Sequence, residues 1–124
     1  MQLDGIELPD LVWGDEFSWS KIEQSAEYSL AGSLIIETGE KLAGRPITLE
    51  GTETIGWITR SDLLVLQALA EDPERQMVLT LDDARTFDVV FRHQDRGIEA
   101  RSVLAYSDPD PDDYYSIIIR LMEV

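Results

Sequence analysis

The sequence predicts a mostly β protein, a β-sandwich or split β-barrel with one flanking α-helix. Three observations carry this. Apolar and polar residues alternate through most of the chain, turn dipeptides recur between the alternating runs, and a single stretch switches to a helical period. The 124 residues make one domain, 1–124, with no room for a second core.

The elements follow in order. Asp4-Gly5 between Leu3 and Ile6 is a favoured hairpin dipeptide, and Pro9-Asp10 breaks the run before Leu11-Val12-Trp13, so the chain opens on a small strand pair. Phe17 and Trp19 alternate with Ser18 and Ser20, and Ala26, Tyr28 and Leu30 alternate with Glu27 and Ser29. That period of two is expected of half-buried strands. Gly32 ends the run, Leu34-Ile35-Ile36 begins another, and the stretch from Gly39 to Gly44 reads as a loop between strands. Pro46 to Gly51 restarts the alternation.

From Ser61 to Glu71, the residues Leu63, Leu64, Leu66, Ala68, Leu69 and Ala70 are good helix formers and give a wide apolar stripe. Thr59 with Asp62 offers a weak capping box, and Asp72-Pro73 stops the helix. Leu63, Leu66 and Leu69 are the residues expected to pack on the sheet. Beyond it, Met77, Leu79 and Leu81 alternate, Asp82 to Arg85 turns, and Phe87, Val89 and Phe91 alternate on the way back, which predicts a β-hairpin. Ile98 to Tyr106 gives another strand. Tyr115, Ile117, Ile119 and Leu121 give the last, with Ile118 and Met122 making its second face apolar as well.

Charge excludes several functions. Lys+Arg 10 against Asp+Glu 25 give a formal charge of −15, yet 44% of residues are hydrophobic, so a core can still form. With no basic cluster, the phosphate neutralisation behind nucleic-acid binding is missing, and an anionic membrane would repel the chain. No apolar run approaches the roughly 18 residues that span a bilayer, and no secretory leader is evident. These features predict no membrane insertion and synthesis in the cytoplasm. The absence of cysteine excludes disulfides, thiolate metal sites and cysteine nucleophiles.

No constellation points to catalysis, a cofactor or a metal. Asp108, Asp110, Asp112 and Asp113 look like the start of a calcium loop, but its glycine and closing carboxylate positions hold Asp113 and Ile119. Alternating prolines also stiffen that segment, so a solvated loop is the simpler reading. His93 is the single histidine, in a polar turn with no nucleophile motif beside it. Asp15-Glu16 and Asp82-Asp83 are pairs that a chain with 25 acids produces by chance, and no glycine-rich phosphate loop is present. Trp13, Trp19, Trp57, Tyr28, Tyr106, Tyr114 and Tyr115 are many amphipathic aromatics for a small domain; most belong to a core, the rest to a subunit or ligand surface. Arginine supplies most of the cations, a bias that suits protein contacts and equally reflects a G+C-rich genome.

Taken together, the run Gly44-Arg45-Pro46-Ile47-Thr48-Leu49-Glu50-Gly51, the helix from Thr59 to Leu69 and the hairpin from Leu79 to Val89 resemble small tail proteins of long-tailed bacteriophages and prophages. The pattern, covering residues 34 to 124, is most similar to tail-tip proteins of the distal-tail type, whose core shares the tail-tube fold. The resemblance implies a ring, commonly a hexamer, that joins the tail tube protein to the tail-tip hub protein and leaves a channel for DNA. It places the chain in the virion tail, at the tip or baseplate. Many such proteins carry a second, galectin-like domain for which this chain has no room, so a minimal adaptor is implied. Neither ligand nor catalytic residues carry over. A negative lumen would let DNA slide without sticking, although acidity also simply favours solubility.

Two other readings compete. An acidic inhibitor that mimics DNA would need carboxylates in paired rows at phosphate-like spacing, whereas here they are spread over nearly every loop. A carbohydrate-binding β domain has only aromatics and carboxylates in its favour. The ring reading makes a structural demand: the strands at 26–30, 34–36 and 115–122 carry more apolar positions than one side of a small sheet needs. Tyr28, Leu30, Leu34 and Ile36 are therefore expected at a subunit interface, unless they close a barrel internally.

Overall fold

A computed structural model describes residues 1–52, 54–104 and 107–124. The fold is mostly β with one helix, as the alternation predicts. Strands β1 (Gln2–Leu3) and β2 (Ile6–Glu7) form the opening hairpin. Its turn needs positive φ at both central residues, and Asp4 (53°) and Gly5 (83°) supply it. Strand β3 (Val12–Trp13) follows, then a long hairpin of β4 (Ile22–Tyr28) and β5 (Leu34–Glu40), then β6 (Pro46–Glu50) and β7 (Trp57–Thr59). Helix α1 (Arg60–Ala70) runs directly out of β7, and β8 (Met77–Thr80) and β9 (Thr86–Phe91) make the predicted hairpin. A 3-10 turn (His93–Asp95), β10 (Ile98–Ser102) and β11 (Tyr114–Glu123) complete the chain.

Nine strands form one antiparallel sheet in the order β2-β1-β8-β9-β11-β6-β3, with β7 and β10 also paired to β11. The length of β11 makes this possible. Its first half takes β10 on one side and β7 on the other, and its second half takes β9 and β6 on those same sides. The sheet is open but strongly curled. Trp13 of β3 and Phe87 of β9 stand three strand spacings apart, about 14 Å in a flat sheet, yet their rings meet edge to face at 5.6 Å.

The concave face holds the core. Leu3, Leu79, Val89, Ile47, Leu49, Ile117, Ile119 and Leu121 are fully buried there, and Leu66 of the helix is buried with them. Alternation puts polar and half-buried residues on the convex face: Thr48, Glu50, Glu99, Ile118 and Arg120. Ile118 and Met122 are half-buried, so the second face of the last strand is partly covered, as its apolar pattern predicts.

Several expectations are corrected. Residues 17–20 form no strand, and Phe17 is 92% exposed; the alternation there reflects a turn whose Trp19 stacks on cations. Gly39 and Glu40 belong to β5, so the loop that follows starts at Lys41. The helix spans Arg60–Ala70, with Leu63 and Leu66 buried, Leu69 and Ala70 half-buried, and Leu64 and Ala68 outside the stripe, exposed. Thr59 is its N-cap residue but its hydroxyl makes no capping bond. The carbonyls of Asp113 and Pro111 accept the Arg60 and Ser61 amides instead, at 2.8 and 3.1 Å. β10 ends at Ser102, and Val103 and Leu104 bend away from the strand, so it is shorter than the expected run to Tyr106, whose last two residues lie outside the described ones. β7 escaped the sequence reading, being only three residues long. The largest departure is β4–β5, expected to be half-buried and in fact exposed along both strands.

Candidate functional site

The β4–β5 hairpin is an arm. It forms a separate two-stranded sheet, and among the described residues its strands pair with each other alone, from Ile22↔Glu40 to Tyr28↔Leu34. Its strands form because Tyr28, Ile35 and Ile36 favour extended backbone, and the tip between them is tied locally. The Ser29 amide donates to the Ser33 carbonyl (2.8 Å), the Ser33 amide to Ser29 Oγ (3.1 Å), and Gly32 takes the positive φ that the turn requires.

The register gives the arm two unlike faces. Cross-strand partners share a face, so Ile22, Gln24, Ala26 and Tyr28 lie with Leu34, Ile36, Thr38 and Glu40. Apart from Glu40 at the root, that face is uncharged. The other face carries Glu23, Glu27 and Glu37 with Ser25, Ile35 and Gly39. Tyr28, Leu34 and Ile36, expected from sequence at an interface, thus stand side by side on the uncharged face, and Leu30 sits at the tip. Their exposures, 76%, 51%, 53% and 111% for Leu30, show that they close no barrel.

The arm's root, in contrast, is firmly fixed. Lys21 pairs with Glu40 (2.6 Å) and Lys41 with Glu23 (3.6 Å), across the base of the ladder. Lys41 and Arg45 lie over the Trp19 ring at 5.1 and 5.2 Å, Arg45 also reaches the Phe87 ring at 6.0 Å, and Phe87 meets Trp13. Arg85 covers Trp13 at 5.6 Å and is itself held by Glu16 and Asp83, both at 2.7 Å. This ladder of rings and cations ties the arm to the β8–β9 turn. Hydrogen bonding to Glu16 and Asp83 raises the Arg85 pKa, and the Arg85 amide and guanidinium hold the Asp83 carboxyl below its ordinary range.

A cleft of about 840 Å³ opens on the convex face, between β7 and β10. Trp57 and Ile118 supply its apolar floor, Ser116 a hydroxyl, and Arg96, Glu99 and Arg101 its rim. Two glycines shape it. A Cβ at Gly56, where φ is +80°, would lie 2.8 Å from Gly51 Cα, so only glycine lets the strand into β7 pass that close and present Trp57. Glu99 is shared by Arg120 (3.0 Å) and Arg96 (3.6 Å). In the sequence Trp57 is an aromatic without an assigned place, and the spacing Gly51 to Gly56 is the signal that marks the close passage beside it.

The other candidates do not converge. His93 is exposed in the 3-10 turn, and Asp82 and Asp83 sit in the β8–β9 turn. Asp15 accepts from the Thr48 amide (2.9 Å) and hydroxyl (2.7 Å), so it fastens the segment after β3 to β6, while Glu16 holds Arg85. Among the described residues, no three His, Asp or Glu side chains come together as a metal-holding group. The acidic segment instead caps the helix through its backbone. Among the described residues, no helix is long and apolar enough to cross a membrane. Comparison with known proteins adds no relative: no family model, no curated protein and no solved structure matches the chain.

Proposed function

We propose that this chain is a non-enzymatic structural protein of a long-tailed phage or prophage tail. In this reading it forms a ring, a hexamer, at the distal tip or baseplate, joins the tail tube protein to the tail-tip hub protein, and leaves a channel for DNA. The observation that carries the assembly part of the reading is the arm. A seven-residue strand pair with an apolar face and no core behind it costs ordering entropy that its own fold does not repay, and a partner would. The resemblance of the segment from Leu34 onward to distal-tail proteins supports the tail setting, and the curled antiparallel sheet with one helix is compatible with it. The chain binds no specific nucleic acid sequence in this account, because its charge of −15 offers DNA a wall to slide along.

The test is its place in a particle. Tail-like particles purified from the cell that encodes the chain should contain it, and electron microscopy with a labelled chain should show the label at the tail tip. Particles that lack the chain, or carry it elsewhere, overturn the tail-tip reading.

A further inference from the structure

In the nine-stranded sheet, β10 pairs with β11 on one side and, among the described residues, with no strand on the other. Its five residues make a longer open edge than the two-residue strands β2 and β3 do. We propose that two copies of the chain pair antiparallel along this edge, with Ala100 opposite Ala100 of the second copy. The contact uses neither the arm nor the tail setting, so it stands or falls apart from the reading above.

The register with β11 fixes what the edge offers. The Arg120 amide donates to the Gly97 carbonyl at 2.8 Å and the Val103 amide to the Tyr114 carbonyl at 3.1 Å, so the odd-numbered residues turn their backbone groups towards β11. Ile98, Ala100 and Ser102 therefore turn theirs outward. Ala100 is exposed, and on the concave side a groove of about 330 Å³, lined by Leu63, Gln67 and Ala70, separates α1 from β10. In the proposed pair Ile98 meets Ser102, Ala100 meets Ala100 and Ser102 meets Ile98, and the members of each pair exchange two backbone hydrogen bonds.

Charge complementarity selects the occupant and the register. Glu99 and Arg101 lie on the convex face, opposite Ile118 and Ser116 of β11. With Ala100 on the two-fold axis, Glu99 stands opposite Arg101 of the second copy, and Arg101 opposite its Glu99. Both fall at non-hydrogen-bonded positions, where side chains come closest. Sliding the pair by two residues sets Glu99 against Glu99, or Arg101 against Arg101, and an odd shift mismatches the hydrogen-bonding groups. One register satisfies both demands. Glu99 accepts from Arg120 at 3.0 Å and lies 3.6 Å from Arg96, and a carboxylate with about four lone-pair sites can take a third guanidinium. Arg101 is exposed and, among the described residues, makes no ion pair within its own chain. In a chain of net charge −15, a cation left to another copy is notable. The contact sets one patch against itself, so it closes at two copies and covers an edge that would otherwise template aggregation.

The experiment is sedimentation velocity at about 0.15 M salt, in a Tyr28→Ser/Leu34→Ser/Ile36→Ser background so that arm contacts do not contribute. That background should form a dimer. Arg101→Glu added to it sets carboxylate against carboxylate twice, and Glu99→Arg sets guanidinium against guanidinium twice, so each should dimerise at least about tenfold more weakly. Mixed together, these two variants oppose unlike charges at both positions and should pair one to one, as tightly as the background does. Ala100→Pro removes an outward amide and no bond to β11, so it should melt like the background and stay monomeric. Because Glu99→Arg also strips Arg120 of its partner, Arg101→Glu and Ala100→Pro carry the test if that variant fails to fold. A background that dimerises together with Arg101→Glu and Ala100→Pro variants that dimerise equally well would overturn the edge assignment. Folded charge variants whose mixture stays monomeric would overturn the register. A background that stays monomeric at every concentration overturns the pairing itself and leaves the arm reading untouched.

Discussion

Arg45 shows how single side chains fix the arm. Its guanidinium spans Trp19 and Phe87, and its Nε is buried without a hydrogen-bond partner, so the rings are its compensation. Arg45→Ala should lower stability by about 1–2 kcal/mol and change tryptophan emission, with Arg45→Lys recovering part of it. Equal melting of the alanine variant and the parent would contradict this. Asp83 makes a pH prediction. Its pKa is lowered, first by the Arg85 amide, so its stabilisation is complete above the ordinary carboxylate value of 3.8 and is lost as pH falls through the depressed folded value. Asp83→Asn should therefore melt slightly below the parent at pH 7, and the two melting curves should converge in acid below that value. The sequence showed Trp19 and Arg45 but not their stacking, because a cation–ring contact between a turn and a loop leaves no period in a sequence.

At the scale of elements, the helix separates what pattern reveals from what it hides. Its apolar stripe was legible because Leu63 and Leu66 recur at helical spacing, and both are buried. Leu66 is fully buried, so Leu66→Ala should cost about 2–5 kcal/mol and Leu66→Asp should unfold the domain; unchanged thermal melting of either would refute the packing. Its N-terminus was not legible. The capping partners, Asp113 and Pro111, lie some fifty residues away, and backbone carbonyls carry no sequence signature. Thr59→Ala should therefore cost less than about 0.5 kcal/mol, where a bonded cap would cost about 1 kcal/mol. Thermal melting that shows the larger loss would restore the hydroxyl cap. The alternation in β4 and β5 does mark strands, but these strands are exposed rather than half-buried. Period two reports which residues share a face, not what covers that face.

For the whole molecule, the mostly β class with one helix followed from periodicity, and the expected interface residues do lie together. The sequence could not show that they project on an arm, since exposure depends on how nine other strands curl into a sheet without it. Nor could it show the cleft, assembled from β7, β10 and β11 by long-range pairing. Net charge sets the conditions of assembly: fifteen negative charges per copy repel at low ionic strength, and at about 0.15 M salt the Debye length shrinks to about 8 Å. Self-association should therefore strengthen as salt rises from low values, the reverse of an assembly held mainly by ion pairs. Sedimentation velocity of the full chain, beside the Tyr28→Ser/Leu34→Ser/Ile36→Ser variant, tests arm-driven assembly most directly. The account predicts one discrete closed oligomer for the parent at raised salt and, for the variant, a folded chain that forms nothing larger than the β10-paired dimer. A parent that remains monomeric there, or a variant that assembles as the parent does, would contradict it.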